Sequence, residues 1–228
     1  MNYVSEAEVI DVIEHKKDIK EYILKLDKKR KYSPGAFVQL TLENVSASDI
    51  WPESRTFSIA SYQNGMMRFI IKNVGIYTNR IFNELRVGKK CTIKYPFGEL
   101  FDDKLIDENH IFIAGGVGVT PFIGLVEYFK SRDRLRNVNL FYSAKVECDL
   151  IHINELKESL KDHLKVFITK KKTSKYIERR MQISDIEMVL DKKDNSNFYI
   201  CGPKEFNNEI NILLISKGYT KIHMDEWE

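Results

Sequence analysis

The chain has few cysteines and almost no excess of either charge. Cys91, Cys148 and Cys201 are its only three cysteines, and no two of them form the Cys-x-x-Cys pair typical of structural zinc or iron–sulfur ligation. An odd number of dispersed thiols is typical of a reduced, cytoplasmic protein. The net charge of +3 is too small to predict a nucleic-acid partner.

Long apolar segments are also missing. No apolar run approaches the roughly 20 residues that a membrane-spanning helix needs, and residues 1–6 lack the basic flank and apolar stretch that open a signal peptide. We therefore expect no membrane attachment. The basic cluster at 28–31 is interpreted as a solvated turn, with a docking patch for an acidic partner as the alternative.

What the chain does have is enough length for two domains. Its 228 residues, 43% hydrophobic and 30% charged, can form two cores in domains of about 100 residues each. The residue pattern changes within the polar stretch 101–109, and we divide the chain into 1–104 and 105–228.

The first domain is predicted to be an antiparallel β-barrel. Apolar and polar residues alternate over short segments, as in 22–27, and turn residues separate these segments. Six strands at this spacing favour a closed barrel, with a single helix at 77–85. The predicted strands lie at 8–13, 21–26, 36–42, 55–60, 67–72 and 91–94.

The second domain is predicted to be an α/β domain with a parallel sheet. Short apolar strands alternate with helical stretches, which is typical of strands covered by helices. The strands are predicted at 111–114, 138–143, 166–169, 198–201 and 222–224, and the helices at 121–131, 153–161, 184–190 and 204–216.

Two segments of the first domain favour an anionic, planar ligand. Arg55 and Phe57 share one face of a predicted strand while Ser58 lies on the other, so a cation and a ring can meet one ligand. Thr78 lies at a predicted helix start, where free N–H groups and the helix dipole favour phosphate. The alternative for the segment of Arg55 is an ordinary barrel strand with a surface arginine. The alternative for Thr78 is that it only caps its helix.

Two segments of the second domain favour a nucleotide. The glycine-rich segment 115–121 links a buried strand to a helix, with Thr120 predicted as the helix N-cap and Pro121 as the first helical residue. Glycines let a backbone approach a pyrophosphate closely. Cys201 ends another strand, and its thiol is soft enough to touch a ring without adding charge. The alternative for 115–121 is a common structural turn, and the alternative for Cys201 is a buried core cysteine. We interpret Cys91 and Cys148 as core cysteines.

In order and spacing, three segments resemble the ferredoxin-NADP reductase superfamily: 55–58 (Arg-Thr-Phe-Ser), 115–121 (Gly-Gly-Val-Gly-Val-Thr-Pro) and 201–203 (Cys-Gly-Pro). The resemblance covers nearly the whole chain. It implies a flavin-binding barrel followed by a nicotinamide-binding α/β domain, and hydride transfer from nicotinamide C4 to N5 of FAD. Phe57 replaces the family's tyrosine and lacks its hydroxyl group.

The resemblance also implies roles for single residues. Arg55 would bind the flavin phosphates, Phe57 the flavin ring or ribityl chain, and Ser58 would lie near N5, while Cys201 would lie beside nicotinamide C4. At 225–227, Trp227 would pack on the flavin, with Asp225 or Glu226 as a proton relay near N5. The further cofactor-binding residues are Thr56, Lys72, Gly75, Tyr77 and Thr78 for the flavin, and Gly115, Gly116, Gly118, Thr120, Pro121, Gly202 and Pro203 for the nicotinamide nucleotide.

A basic stretch resembles the part of NADP-specific relatives that binds the 2′-phosphate and the adenine. It contains Lys170, Tyr176 and Arg180, and cations there favour a phosphate over a bare ribose. We therefore expect NADPH rather than NADH, with a merely solvated basic loop as the alternative.

The resemblance leaves the electron acceptor open. A small acidic carrier, ferredoxin or flavodoxin, is the first expectation, and free flavin or a ferric chelate is the second. A third is an electron-transfer subunit of a larger complex. Such subunits often carry a C-terminal cysteine cluster for iron and sulfur, and this chain has none.

Overall fold

The computed structural model describes residues 2–27, 32–46, 48–170, 173–190 and 195–225, so the basic cluster at 28–31 lies outside it. The chain divides into two compact units, Met1–Phe101 and Asp102–Glu228. The division drawn from the sequence, after residue 104, falls within a short 3-10 helix at Asp103–Leu105. Each unit has its own sheet and its own core.

The first unit contains one antiparallel sheet. Its strands follow the order β4-β3-β7-β1-β2-β6-β5, and helix α1 lies in the chain between β6 and β7. The bounds are β1 Tyr3–Lys16, β2 Ile19–Leu26, β3 Phe37–Thr41, β4 Arg55–Ser58, β5 Ser61–Gln63, β6 Met66–Lys72, α1 Ile76–Glu84 and β7 Lys90–Phe97.

This sheet curls into a barrel, because its two end strands are consecutive in the chain. Ile59 and Ala60 join β4 to β5. The Ile59 N–H donates to the Ala36 carbonyl (3.0 Å), while the Ala60 N–H donates to the carbonyl of Arg68 in β6 (2.9 Å). The predicted antiparallel barrel is confirmed, with β5 as a seventh strand that the sequence pattern missed.

Alternation along the strands fills the barrel. Tyr22 and Leu24 of β2 are fully buried in the core with Phe69 of β6, as expected for side chains two positions apart. Helix α1 adds Tyr77 and Ile81 to the same core. The barrel thus holds the start of α1 in a defined place.

The second unit contains a parallel sheet of five strands in the order β10-β9-β8-β11-β12, as the sequence predicts. Among the described residues, no helix is long and apolar enough to cross a membrane. The strands are β8 His110–Gly115, β9 Val138–Ala144, β10 Leu164–Ile168, β11 Asn197–Cys201 and β12 Ile222–Asp225, and the helices are α2 Thr120–Ser131, α3 Ile153–Leu160, α4 Ile183–Glu187 and α5 Lys204–Ser216.

Both faces of this sheet are covered. On one face, the Phe112 ring of β8 stacks on Phe122 of α2, with ring centroids 5.0 Å apart. On the other, Ile111 and Ile113 pack in one cluster with Ile210 of α5. Strand order reverses between β8 and β11, which is the point where open α/β sheets bind ligands at the carboxyl ends of the strands.

Candidate active site

The carboxyl ends of β8 and β11 lie side by side. Ala114 pairs with Cys201 in the parallel ladder. A 3-10 helix, Gly116–Val119, leads from β8 directly into α2, and residues 202–203 lead from β11 into α5. Two turns that enter helices therefore meet where the strand order reverses, and their N–H groups suit an anionic ligand.

The glycines of these turns serve packing first. A Cβ atom on Gly118 would lie 2.2 Å from the carbonyl oxygen of Cys201, and one on Gly202 would lie 2.7 Å from the Phe206 ring. Gly116 has a φ of +57°, a left-handed conformation that favours glycine. Apart from Gly116 itself and its two chain neighbours, no atom of the described residues lies within 4 Å of a Cβ built on Gly116. Gly116 is thus the position of this turn with room for a ligand.

The structure corrects the predicted start of α2. Thr120 is the first residue of α2 rather than its N-cap, and its hydroxyl donates to the carbonyl of Val117 (2.6 Å). The reason is that the 3-10 turn continues into α2 without a break, so the capping position moves upstream and Pro121 becomes the second helical residue. Pro203 has an extended ψ of 149° and is the N-cap of α5, which begins at Lys204 as predicted.

Cys201 is completely buried at the end of β11. It pairs with Asp225 of β12, and its thiol donates to Asp225 Oδ2 over 3.9 Å. The side-chain amide of Asn207 donates to the Asp225 carbonyl (3.2 Å). The sequence predicted roles for Cys201 and Asp225 separately, but only the strand pairing brings the two together. Glu226 and Trp227 lie outside the described residues, and their roles stay predictions.

The other cysteines differ from each other. Cys91 is a buried core residue as predicted, and burial raises the pKa of its thiol to about 12. The same prediction is wrong for Cys148, which is exposed. Cys148 lies in a short 3-10 helix, Glu147–Asp149, which follows β9 and buries none of its residues.

In the barrel, Arg55 is exposed and lies beside the start of α1. Its guanidinium is 4.8 Å from the centroid of the Tyr77 ring, and it bonds the Ser54 carbonyl (2.7 Å) and Glu53 (3.2 Å). Arg80 lies 5.6 Å from the same ring. The sequence analysis did not name Arg80. A cationic residue about one turn past the start of α1 was the feature that could have identified it. Two cations therefore lie close to one ring.

Other predicted flavin residues are part of the barrel itself. Phe57 and Ser58 are buried, and Phe57 belongs to the barrel core. The buried Tyr77 donates its hydroxyl hydrogen to the Glu53 carbonyl (3.0 Å) and accepts the Leu42 N–H (3.2 Å). Tyr77 therefore anchors two loops, and the flavin contacts of these residues stay predictions.

Two further candidates in the barrel are exposed. Thr56 is exposed beside Arg55 in β4. The Lys72 ammonium lies 3.8 Å from Asp18. Their roles also stay predictions.

Thr78 caps its own helix. Its hydroxyl oxygen accepts the N–H groups of Val74 (2.9 Å) and Gly75 (3.0 Å), and its hydrogen is within reach of the Gly75 carbonyl (3.0 Å) and Asn73 (3.3 Å). This is the capping role that the sequence left open. The groups of α1 that remain suited to a phosphate are the N–H groups of its first turn.

The basic candidates of the second unit do not come together. The hydroxyl of Tyr176 accepts a hydrogen bond from Lys157 of α3 (2.9 Å), and its ring packs with Val166 and Ile168. Arg180 instead bonds Glu209 of α5 (3.0 Å). Because α5 packs on the opposite face of the sheet from that cluster, Tyr176 and Arg180 lie on opposite faces.

Lys170 has a different cationic neighbour. Its N–H donates to the Lys145 carbonyl (3.0 Å), because β9 and β10 are parallel and paired to their ends. Lys145 follows the second strand of the sheet, where the residue that recognises the ribose or its phosphate is commonly found. The sequence reasoning missed Lys145, although its place after a predicted strand was a usable signal.

Comparisons with known proteins agree with this architecture. Residues 6–101 match the oxidoreductase FAD-binding domain, and residues 112–211 match the oxidoreductase NAD-binding domain. The chain is 26% identical over 222 residues to ferric reduction oxidase 8, mitochondrial, of Arabidopsis thaliana, covering 86% of this chain and 30% of that protein. It is 24% identical over 216 residues to the anthranilate 1,2-dioxygenase electron transfer component of Acinetobacter baylyi, covering 91% of this chain and 60% of that protein.

The chain thus spans less than two thirds of either relative's length. A solved ferredoxin NADP+ reductase from Neisseria gonorrhoeae, with bound FAD and NADP, superposes with a TM-score of 0.79 at 18% identity, covering 98% of both chains. This likeness shows a shared fold. The chain therefore has the two-domain fold of ferredoxin-NADP reductases, and it belongs to the oxidoreductases in which an FAD-binding domain is followed by an NAD-binding domain.

Proposed function

We propose that this reductase oxidises NADPH and delivers electrons one at a time to a small protein carrier, ferredoxin or flavodoxin. The observation that carries the oxidoreductase proposal is the meeting of the glycine-rich turn with Cys201 and Asp225, where strand order reverses. An anion-binding turn and a soft thiol on adjacent strand ends suit a dinucleotide whose reactive ring needs placing.

The residues present fit both cofactors. Gly116 has an open, left-handed backbone before α2, which suits the pyrophosphate of a nicotinamide nucleotide. In the barrel, the exposed guanidinium of Arg55 lies close to the first turn of α1, and guanidinium groups bind phosphates well. Arg80 is close to the same ring, but its guanidinium already bonds Glu84 (3.0 Å) and Glu43 (3.4 Å). When bound, FAD supplies a hydride acceptor that can release electrons singly.

The protein's own residues position the reactants. Asp225 Oδ2 lies 3.9 Å from the Cys201 sulfur and accepts its hydrogen, which favours one orientation of the thiol that we propose lies beside the nicotinamide. Ser58 is proposed to orient the flavin edge. These roles concern distance and orientation, which contribute to rate without a covalent bond to the protein.

The preference for NADPH is proposed from Lys145 and Lys170. Both follow the ends of paired parallel strands and are exposed, and two ammonium groups there would attract the 2′-phosphate. Arg180 is not part of this proposal because it bonds Glu209 on the other face.

A protein acceptor is supported by the relative that is an electron transfer component of a dioxygenase. The alternative, reduction of free flavin or a ferric chelate, is supported by the ferric reduction oxidase. The three free thiols support a reducing, cytoplasmic location as part of the same proposal.

Steady-state turnover with each acceptor tests the proposal. The protein, loaded with FAD, is given NADPH and then ferredoxin, flavodoxin, free flavin or ferric citrate at equal concentrations. We expect the highest kcat/KM with a protein carrier. A higher value with ferric citrate or free flavin would establish the alternative. No oxidation of NADPH, or of NADH supplied in a parallel assay, would overturn the whole proposal.

A further inference from the structure

The first turn of helix α5 packs against the carboxyl ends of two strands. Phe206 belongs to this turn. A Cβ atom on Gly115, the last residue of β8, would lie 2.9 Å from the Phe206 ring, and one on Gly202, which follows β11, would lie 2.7 Å from it. The ring therefore occupies the space that side chains at these two glycines would need, and it fixes the first turn of α5 against both strand ends.

Asn207 extends this contact to a third strand end. Its side-chain Nδ2 donates to the backbone carbonyl of Asp225 (3.2 Å), the last residue of β12, while its own N–H donates to the Pro203 carbonyl (2.9 Å). Strand β12 has four residues and lies at the edge of the sheet. The end of a short edge strand opens easily unless other contacts hold it. Asn207 thus ties the end of β12 to a turn that is itself fixed.

The position of Asp225 matters because its carboxylate accepts the Cys201 thiol. Parallel pairing of β11 with β12 brings the two residues together, and the distance from the Cys201 sulfur to Asp225 Oδ2 is 3.9 Å. This is a long hydrogen bond, and hydrogen bonds weaken as the distance between donor and acceptor grows. A small displacement of Asp225 is therefore enough to release the thiol.

The amide group of Asn207 is a poor choice for stability alone. Asn207 is 2% exposed, and within the described part of the chain its Oδ1 atom has no hydrogen-bond partner. Only the NH₂ group can donate to the Asp225 carbonyl, so the amide cannot be turned over to relieve this. A buried acceptor without a partner costs free energy that an apolar side chain of the same shape avoids. Such local costs are expected where a residue serves function.

We propose that Asn207 is a positioning residue for the nicotinamide site: it holds Asp225 against Cys201 and thereby sets the orientation of the thiol. This inference rests on the proposed function, in which that thiol lies beside the nicotinamide. Asn207 acts through Asp225 and Cys201 rather than on the nucleotide itself. Its loss therefore slows hydride transfer more than it weakens nucleotide binding.

Two variants of the full chain remove the amide group. Asn207→Leu keeps the approximate shape of the side chain, and Asn207→Ala adds no bulk beside the Asp225 carbonyl. The control is Asn208→Leu, because Asn208 is the next residue of α5 and is exposed. Equilibrium unfolding compares their stabilities, and we expect Asn207→Leu to be at least as stable as wild type because it removes the buried acceptor.

Infrared absorption of the Cys201 S–H group, measured without nucleotide, tests the arrangement directly. The band is assigned by its loss in Cys201→Ala. An S–H group that donates a hydrogen bond absorbs at a lower frequency than a free one. We therefore expect the band to move to higher frequency in both Asn207 variants and to stay in place in Asn208→Leu. An unmoved band in both Asn207 variants would overturn the inference.

Stopped-flow reduction of bound FAD over a range of NADPH concentrations tests the consequence for the reaction. In both Asn207 variants we expect the limiting rate to fall about three- to tenfold and the apparent Kd for NADPH to change less than about twofold. The control should match wild type in both quantities. Wild-type limiting rates in both Asn207 variants would overturn the inference while leaving the proposed function intact. If neither NADPH nor NADH reduces the wild-type flavin, the proposed function itself fails.

Discussion

Gly118 and Cys201 are in direct backbone contact, since a Cβ atom on Gly118 would lie 2.2 Å from the Cys201 carbonyl oxygen. The two residues are distant in sequence, and the contact joins the turn after β8 to the end of β11. It places the glycine-rich turn, which we propose binds the nucleotide pyrophosphate, against the thiol that we propose lies beside the nicotinamide. Both halves of the nucleotide site therefore depend on the absence of a side chain at residue 118.

We expect Gly118→Ala to destabilise the second unit by at least about 2 kcal/mol, because the obstructing atoms are backbone and cannot move aside. Guanidinium denaturation followed by circular dichroism measures this. Gly75→Ala is the control, since Gly75 is extended and no described atom lies within 4 Å of its Cβ position. Equal unfolding midpoints for Gly118→Ala and wild type would contradict the contact.

We expect Cys201→Ala to fold normally but to reduce bound FAD about tenfold more slowly, because the thiol positions the nicotinamide and forms no bond. Stopped-flow absorbance during reduction by NADPH measures the rate. The exposed Cys148 offers the control Cys148→Ala, which should leave the rate unchanged. A wild-type rate for Cys201→Ala would return Cys201 to a core role.

We expect Arg55→Ala to weaken FAD binding by roughly 1.5–3 kcal/mol, the worth of a hydrogen bond to a charged group. Absorbance of the purified protein and reconstitution with FAD give the affinity. Arg132→Ala is a matched control, because Arg132 also lies over a tyrosine ring, 5.1 Å from the centroid of Tyr128. Equal FAD retention in both variants would remove Arg55 from the flavin site.

We expect Lys145→Ala with Lys170→Ala to raise the KM for NADPH about tenfold more than that for NADH. The kcat should change little, because these groups bind ground state and transition state alike. Arg180→Ala serves as the control and should leave both KM values unchanged, since its guanidinium bonds Glu209. If the wild-type enzyme uses NADH with a kcat/KM equal to or above that for NADPH, the proposed preference for NADPH is wrong. The proposed flavin site does not depend on this result.

The second unit should lose stability in mild acid because of His110. Burial, with smaller contributions from His223 and Lys221, lowers the pKa of this histidine from 6.5 to about 4, against the opposing effects of the Leu105 carbonyl and Glu108. Between these pH values the unfolded chain binds a proton that the folded chain does not. Stability is therefore complete above about pH 6.5 and falls by about 3 kcal/mol as the pH drops to about 4.

His110→Gln removes this titration while keeping a hydrogen-bond donor for the Leu105 carbonyl. Unfolding free energies measured at several pH values should show a shallower slope for the variant. Burial also lowers the pKa of His223, so some slope should remain. Identical slopes in wild type and variant would rule out His110 as the titrating group.

The sequence alone determined the order of the elements apart from β5, and it placed the carboxyl ends of β8 and β11 to within one residue. Alternation such as that of Tyr22 and Leu24 predicts barrel strands, because residues two apart share a face. The central strands β8 and β11 of the second unit are buried at every residue, and they read as short apolar runs. The segments 115–121 and 201–203, which follow strand ends, were recognised from their glycines and prolines. These residues mark turns by their own backbone preferences.

The tertiary structure decided which side chains meet. Cys201 contacts Asp225, and Lys170 lies beside Lys145, because of the order and register of parallel strands, which local periodicity does not report. Tyr176 and Arg180 are close in sequence, yet they lie on opposite faces of the sheet.

Strand β5, Ser61–Gln63, is too short to show alternation, and its pairing with β6 defines it. Likewise, residue 118 must be glycine because its backbone packs against Cys201, which is distant in the chain. Periodicity and turn residues are local properties that a sequence displays directly, whereas contacts across a sheet depend on how distant segments pack.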